Sequence, residues 1–213
     1  MHDPHLTSAP SGIIAVVRTA SADGALTIGR GLAAAGVPTV EITLTVPDAV
    51  DVIAALSREG IARIGAGTVL SAASVAEVAD AGASFVVAPD TDPDVLTAGR
   101  ARGLAVIPGA LTPTEIRHAG VLGAVAVKVF PVAAVGGPGY IRSVREPLPD
   151  IELVVSGGIP LGRVREYFAA GARAVCLGGA LIDREAAAAG DVEGVARHAR
   201  AALRTLDGVL DHV

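Results

Sequence analysis

Short hydrophobic runs rich in Val and Ile recur along the chain, each ending on a small or polar residue and followed by a segment with helical spacing. They are Ile13–Val17, Thr39–Thr43, Arg63–Gly67, Phe85–Ala88, Ala105–Gly109, Val125–Phe130, Glu152–Ser156 and Ala174–Gly178. Their last residues stand 21 to 26 positions apart, as in the steps from 67 to 88 and from 17 to 43. Strand-sized runs alternating with helical segments predict a parallel sheet with helical crossovers. Eight such units with no break in composition predict one domain over residues 1–213, a (β/α)8 TIM barrel with a parallel eight-stranded core; an open doubly wound sheet is the alternative. A short leader precedes it at residues 1–11. After the last run, Ala180–Asp183 is expected to form a short extra helix. A C-terminal helix is expected over about 191–210, with Val195, Ala199, Ala202, Leu206 and Val209 on its apolar face.

Helix starts are expected where Ser or Thr precedes an acidic residue by three positions. Thr45–Asp48, Ser74–Glu77, Thr91–Asp94 and Thr112–Glu115 fit this capping pattern, with Pro113 at the first helical position. Gly36, Gly82 and Gly171 follow Ala-rich segments where left-handed helix exits are expected.

In a barrel the reacting groups stand at the C-terminal ends of the strands. Alternation over Ala126-Val127-Lys128-Val129-Phe130 puts the valines on one face and Lys128 on the other. With the valines against the helices, Lys128 points into the barrel, where burial favours the neutral amine. A neutral amine attacks carbonyls to form a Schiff base, which a guanidinium does not. By the same reasoning Thr39, Glu41 and Thr43 share the interior face of the second run. Glu41 then faces Lys128 either as a proton carrier or as a structural ion pair. Glycine-rich turns follow three runs, at Gly65–Gly67, Ser156–Gly158 and Gly178–Gly179. The last two lie where barrels commonly hold a phosphate, although glycine also serves tight strand-to-helix turns.

Composition sharpens this picture. The chain has 213 residues, 51% apolar and 18% charged, with a formal charge of −5, which suits a compact domain. Of its 17 basic residues one is lysine, Lys128, and the other sixteen are arginine. A compositional bias toward arginine accounts for the sixteen arginines, but a chance surviving lysine belongs on the surface, since lysines are almost never fully buried unless paired. The acidic balance and five aromatics give no footprint for nucleic acid. No segment reads as a signal peptide or membrane span, so a cytoplasmic location is expected. Cys176 is the single cysteine and is expected to pack as a small hydrophobe. None of the five histidines ends a run, so a histidine-built metal site is not expected.

With these residues in place, the chain resembles the 2-keto-3-deoxy-6-phosphogluconate (KDPG) and 4-hydroxy-2-oxoglutarate (KHG) aldolases from about Ile13 to Ile182. The resemblance rests on Ile14-Ala15-Val16-Val17-Arg18, Val40-Glu41-Ile42-Thr43-Leu44-Thr45, Ile64-Gly65-Ala66-Gly67-Thr68-Val69-Leu70 and Ala88-Pro89-Asp90. It continues through Ile107-Pro108-Gly109, Val127-Lys128-Val129-Phe130-Pro131, Ser156-Gly157-Gly158-Ile159 and Leu177-Gly178-Gly179. It implies a class I aldolase, a homotrimer using neither metal nor cofactor, that cleaves a 2-keto-3-deoxy-6-phospho sugar acid to pyruvate and glyceraldehyde 3-phosphate. Lys128 would form the imine and Glu41 would act as general acid and base. Thr68, the Gly67 amide and Arg18 would hold the pyruvyl carboxylate, Pro89 and Phe130 would shape the pocket, and Ser156, Gly157, Gly158, Gly178 and Gly179 would bind the distal phosphate. Thr45 stands where many relatives have an arginine for the carboxylate. Ser156 matches neither the gluconate-type threonine nor the galactonate-type apolar residue, which leaves the epimer open. Ala180 replaces a serine that often binds phosphate. An aldolase for an unphosphorylated acid such as 4-hydroxy-2-oxoglutarate is therefore the second reading, and a non-catalytic sugar-phosphate binding protein is the third.

Overall fold

A computed structural model of the chain describes residues 8–206. Nine strand segments, all parallel, are β1 (Gly12–Val17), β2 (Thr39–Thr43), β3 (Arg63–Gly67), β4 (Phe85–Val87), β5 (Ala105–Ile107), β6 (Gly109–Ala110), β7 (Val127–Val129), β8 (Leu153–Val155) and β9 (Ala174–Leu177). Helices α1 (Ala22–Ala34), α2 (Ala49–Glu59), α3 (Ala72–Asp80), α4 (Pro93–Ala101), α5 (Pro113–Val121), α6 (Pro138–Arg145) and α7 (Val164–Ala169) cross between them. A 3-10 turn at Gly179–Leu181, α8 (Arg184–Ala188) and α9 (Val192–Arg204) follow β9. Among the described residues no helix is long and apolar enough to cross a membrane.

The strand order, β5-β4-β3-β2-β1-β9-β8-β7-β6, bends the sheet into a nearly closed barrel. Its two ends are consecutive in the chain, separated by Pro108 alone. The expected single run over Ala105–Gly109 is thus divided, because proline has no N–H to donate and its two flanks serve different neighbours. Ile107 accepts from the Ala88 N–H at 3.1 Å, and the Pro108 carbonyl accepts from the Lys128 N–H at 2.8 Å.

Alternation sorts the strand residues into two apolar bodies. Val17, Val40, Ile42, Val127, Val129 and Val155 pack outward on the helices. Ile14, Phe85, Val87, Ile107, Val154 and Cys176 fill the barrel interior. The Phe85 ring is the largest interior group, and Gly65 across from it has no side chain for a reason: a Cβ there would stand 2.4 Å from the ring.

Three of the four expected caps fall elsewhere. Ser71 rather than Ser74 caps α3, accepting from the Ser74 N–H, and Asp92 rather than Thr91 caps α4. Thr91 instead donates its hydroxyl to the Gly109 carbonyl at 2.9 Å. Thr45 caps nothing; α2 starts after Asp48, which is left-handed at φ 52° and makes no side-chain cap. At α3 and α4 the capping oxygen comes from the residue immediately before the helix, Ser71 and Asp92, which is the position that can accept from the first-turn N–H groups. Thr112 and Glu115 do form a reciprocal capping box, with Pro113 opening α5. The exits at Gly36, Gly82 and Gly171 are left-handed as expected. The C-terminal helix buries Val195, Ala199 and Ala202, and Leu206 beyond it is buried too; Val209 lies outside the described residues.

Substituting Gly65→Ala is expected to drive a methyl group into the Phe85 ring and cost about 1–3 kcal/mol. Equilibrium urea unfolding checks this as a lower midpoint at an unchanged slope.

Candidate active site

β2 and β7 each carry one ionisable residue to the C-terminal end of the barrel interior. Val40 and Ile42 pack outward, so Glu41 between them points inward and is 1% exposed. Val127 and Val129 do the same for Lys128, which is 8% exposed. Its ammonium sits over the Phe130 ring, 5.0 Å from the centroid, and that ring is itself 40% exposed at the barrel mouth. A cation over an aromatic face is attracted by the ring quadrupole.

The space for Glu41 comes from β3. A Cβ on Gly67 would lie 1.9 Å from Glu41 Oε1, so glycine is required where the carboxyl lies against the strand. Burial raises the Glu41 pKa above its ordinary 4.5, and the charges of Lys128 and Arg18 pull it back in part. Oε2 is buried without a hydrogen-bond partner. Such an oxygen has capacity to exchange a proton with a substrate hydroxyl or a water.

Beyond Gly67 the chain turns through Thr68 at φ 59°. For a β-branched residue the left-handed region costs on the order of 1–3 kcal/mol and persists only where the surroundings impose it. The turn presents the Thr68 hydroxyl to Arg18, whose Nη2 donates to it at 3.4 Å. Thr43 fixes the neighbouring strand end by donating to the Val17 carbonyl at 3.1 Å, and its hydroxyl lies 2.9 Å from that of Thr45.

Arg18 also lines an open cavity of about 1200 Å³ with Thr45, Ser156, Gly157, Gly158, Gly178 and Gly179. The expected site residues therefore form two adjoining groups. Lys128, Glu41, Gly67, Thr68 and Phe130 belong to the barrel mouth, the glycine loops belong to the cavity, and Arg18 belongs to both. Phe130 meets the loop as well, since a Cβ on Gly157 would stand 3.0 Å from its ring. Pro89 joins neither group in the same way: its carbonyl approaches Gly109 so closely that a Cβ there would lie 2.1 Å from the oxygen. Among the described residues no cluster of three or more His, Cys, Asp or Glu is placed to hold a metal ion.

Cys176 and Arg184 are among the lining residues that the sequence reading did not assign to the site. Cys176 packs in the interior as expected but also faces the cavity. Burial first, then the Glu41 charge, push its thiol up to about 12, against the opposing effects of Lys128 and a hydrogen bond with Ser156; it stays protonated and is no nucleophile. Arg184 reaches the cavity from the start of α8, a helix with no periodic signature in the sequence.

The comparisons with known proteins now bear on this geometry. The family model described as "KDPG and KHG aldolase" matches residues 5–198. The chain belongs to the KDPG and KHG aldolase family. It is 36% identical over 187 residues to a 2-dehydro-3-deoxy-phosphogluconate aldolase of Pseudoalteromonas atlantica, covering 87% of this chain and 86% of that one. A native KDPGal structure is 31% identical with a TM-score of 0.84, covering 96% and 98% of the two chains. A KDPG aldolase from Legionella pneumophila, with pyruvate captured at low pH as a covalent carbinolamine intermediate, is 27% identical with a TM-score of 0.82 over 92% and 96%. The family's enzymes are carbon–carbon lyases, and this chain is an aldolase of class I, the Schiff-base type.

A Glu41→Gln variant removes a group whose pKa is raised by folding. The folded protein binds that proton more tightly than the unfolded chain, so wild-type stability falls as pH rises from about 4.5 through the raised value and is flat above it. The stability of Glu41→Gln relative to wild type is expected to grow across that window. Melting temperatures of both proteins measured against pH check it, and parallel curves would show that Glu41 is not destabilised by burial.

Proposed function

We propose that the chain cleaves 2-keto-3-deoxy-6-phosphogluconate, or its galactonate epimer, reversibly to pyruvate and glyceraldehyde 3-phosphate, with Lys128 as the imine-forming residue. The observation that carries this reading is a sole lysine placed inside the barrel mouth beside a buried carboxyl of raised pKa. The scaffold fits an eight-stranded (β/α)8 barrel in which β5 and β6 are one strand interrupted at Pro108, with its site at the C-terminal face.

In the reaction the Lys128 amine adds to the C2 carbonyl, and the carbinolamine loses water to give an iminium. Glu41, directly or through a water, takes the proton of the C4 hydroxyl. The C3–C4 bond breaks, its electrons pass into the iminium to form an enamine, and glyceraldehyde 3-phosphate leaves as the aldehyde. Glu41 then returns a proton to C3, and water hydrolyses the pyruvyl iminium to pyruvate and the free amine. A carboxyl of raised pKa is a stronger base for the first transfer than an ordinary carboxylate, and its protonated form serves the second. Thr68, the Gly67 amide and Arg18 hold the C1 carboxylate, Phe130 bounds the pocket, and the Ser156–Gly158 and Gly178–Gly179 loops receive the phosphate. The protein works without metal or cofactor, in the cytoplasm, as a homotrimer.

A second substrate reading has its own observation. Ala180 lines the distal cavity without a hydroxyl to offer a phosphate, and the family includes KHG aldolases, so 4-hydroxy-2-oxoglutarate is the alternative substrate.

Incubation with pyruvate and borohydride is expected to leave a reduced pyruvyl adduct on Lys128, mapped by peptide mass spectrometry; an unmodified lysine would overturn the mechanism. Lys128→Ala is expected to lose turnover while keeping its melting temperature within a few degrees. Pyruvate release from phosphorylated and unphosphorylated acids, compared as kcat/KM, decides between the substrates. A preference for 4-hydroxy-2-oxoglutarate would replace the first reading with the second.

A further inference from the structure

The distal cavity has an unusual charge pattern for a protein of net charge −5. Its charged lining residues are Arg18 and Arg184, and no carboxylate lines it. Arg18 stands toward the barrel mouth, hydrogen-bonded to Thr68. Arg184 stands over the Gly178–Gly179 loop, its Nη2 lying 3.9 Å from the position a Cβ on Gly179 would take. The cavity thus carries two cations, Arg18 hydrogen-bonded to Thr68 and Arg184 beside Gly179, a pattern that matches a ligand with two anionic groups.

Arg184 is also uncommitted. Arg163 pairs with Glu166 and Arg200 with Glu193, whereas Arg184 makes no hydrogen bond or ion pair among the described residues. The adjacent Asp183 is occupied elsewhere, capping α8 by accepting from the Glu185 and Ala186 N–H groups at 3.0 Å each. Ile182, Ala187 and Ala188, near Arg184 in the chain, line the same cavity with apolar surface, which strengthens a charge-assisted bond formed there. A guanidinium presents a planar fork of donors suited to two phosphate oxygens.

We propose that Arg184 is a specificity-determining residue that binds the terminal phosphate of the substrate, taking over the donor role that Ala180 leaves unfilled. The inference rests on the reading of a phosphorylated sugar acid as substrate. It gives a cavity without a hydroxyl at position 180 another donor for that group. Neutral sugar-acid tails reach the same cavity but give the guanidinium nothing to pair with.

The test compares kcat/KM for 2-keto-3-deoxy-6-phosphogluconate and unphosphorylated 2-keto-3-deoxygluconate. Arg184→Ala is expected to lower the ratio of the two values about tenfold to a hundredfold, chiefly through KM for the phosphorylated acid. Arg184→Lys is expected to recover part of the loss, since an ammonium still supplies charge but not the fork. Glu185→Gln, which makes the same surface more positive outside the cavity, is expected to move the ratio less than twofold, so that a shift in Arg184→Ala is not mere net charge. An unchanged ratio in Arg184→Ala, or an equal fall for both acids, would overturn the role of Arg184. A wild-type protein with no preference for the phosphorylated acid would overturn the substrate reading itself, before any variant is made.

Discussion

A carboxyl group held inside an apolar barrel is expensive to ionise, and the mouth of this barrel is arranged around that expense. Glu41 has space only because β3 offers a glycine at position 67, and it has compensation only because Lys128 and Arg18 stand near enough to favour its charge. The compensation is incomplete, so the pKa of Glu41 stays raised, and as a carboxylate it is a stronger base than a free one. Removing water from the same site strengthens each of these electrostatic effects. The strained turn at Thr68 follows from the same arrangement, because the chain leaving Gly67 has to bring a hydroxyl to Arg18.

The site divides its work between two regions of different character. The barrel interior buries the reactive groups Glu41 and Lys128, while the neighbouring cavity is open and lined by loop glycines and two arginines. Arg18, Ser156 and Cys176 connect the two. The Ser156 hydroxyl meets the Cys176 thiol, which burial first and the Glu41 charge second keep protonated. The contact of Gly157 with Phe130 joins the loop to the strand that bears the lysine.

Much of this was legible in the residues themselves. Alternation alone sorted Glu41 and Lys128 from the valines and isoleucine around them, because a parallel barrel strand has one face for the helices and one for the interior. Helix starts were less legible. Ser71 and Ser74, or Thr91 and Asp92, are chemically near-equivalent caps, and which one serves depends on where the backbone leaves the extended region. Arg184 was invisible for a different reason: α8 is five residues long and carries too little periodicity to be recognised, so nothing in the sequence aims its first side chain at a loop.

The sequence by itself determined the repeated strand–helix order, the inward face of each strand and the identity of the one amine available for imine chemistry. These are local properties, set by side-chain volume, polarity and a two-residue period. Only the tertiary structure decided that Gly67 is a space for Glu41, that Pro108 divides one strand between two partners, and that arginines 166 residues apart, Arg18 and Arg184, face a single cavity. Those are distances between groups remote along the chain, and they exist only once the barrel has brought its first and last strands side by side.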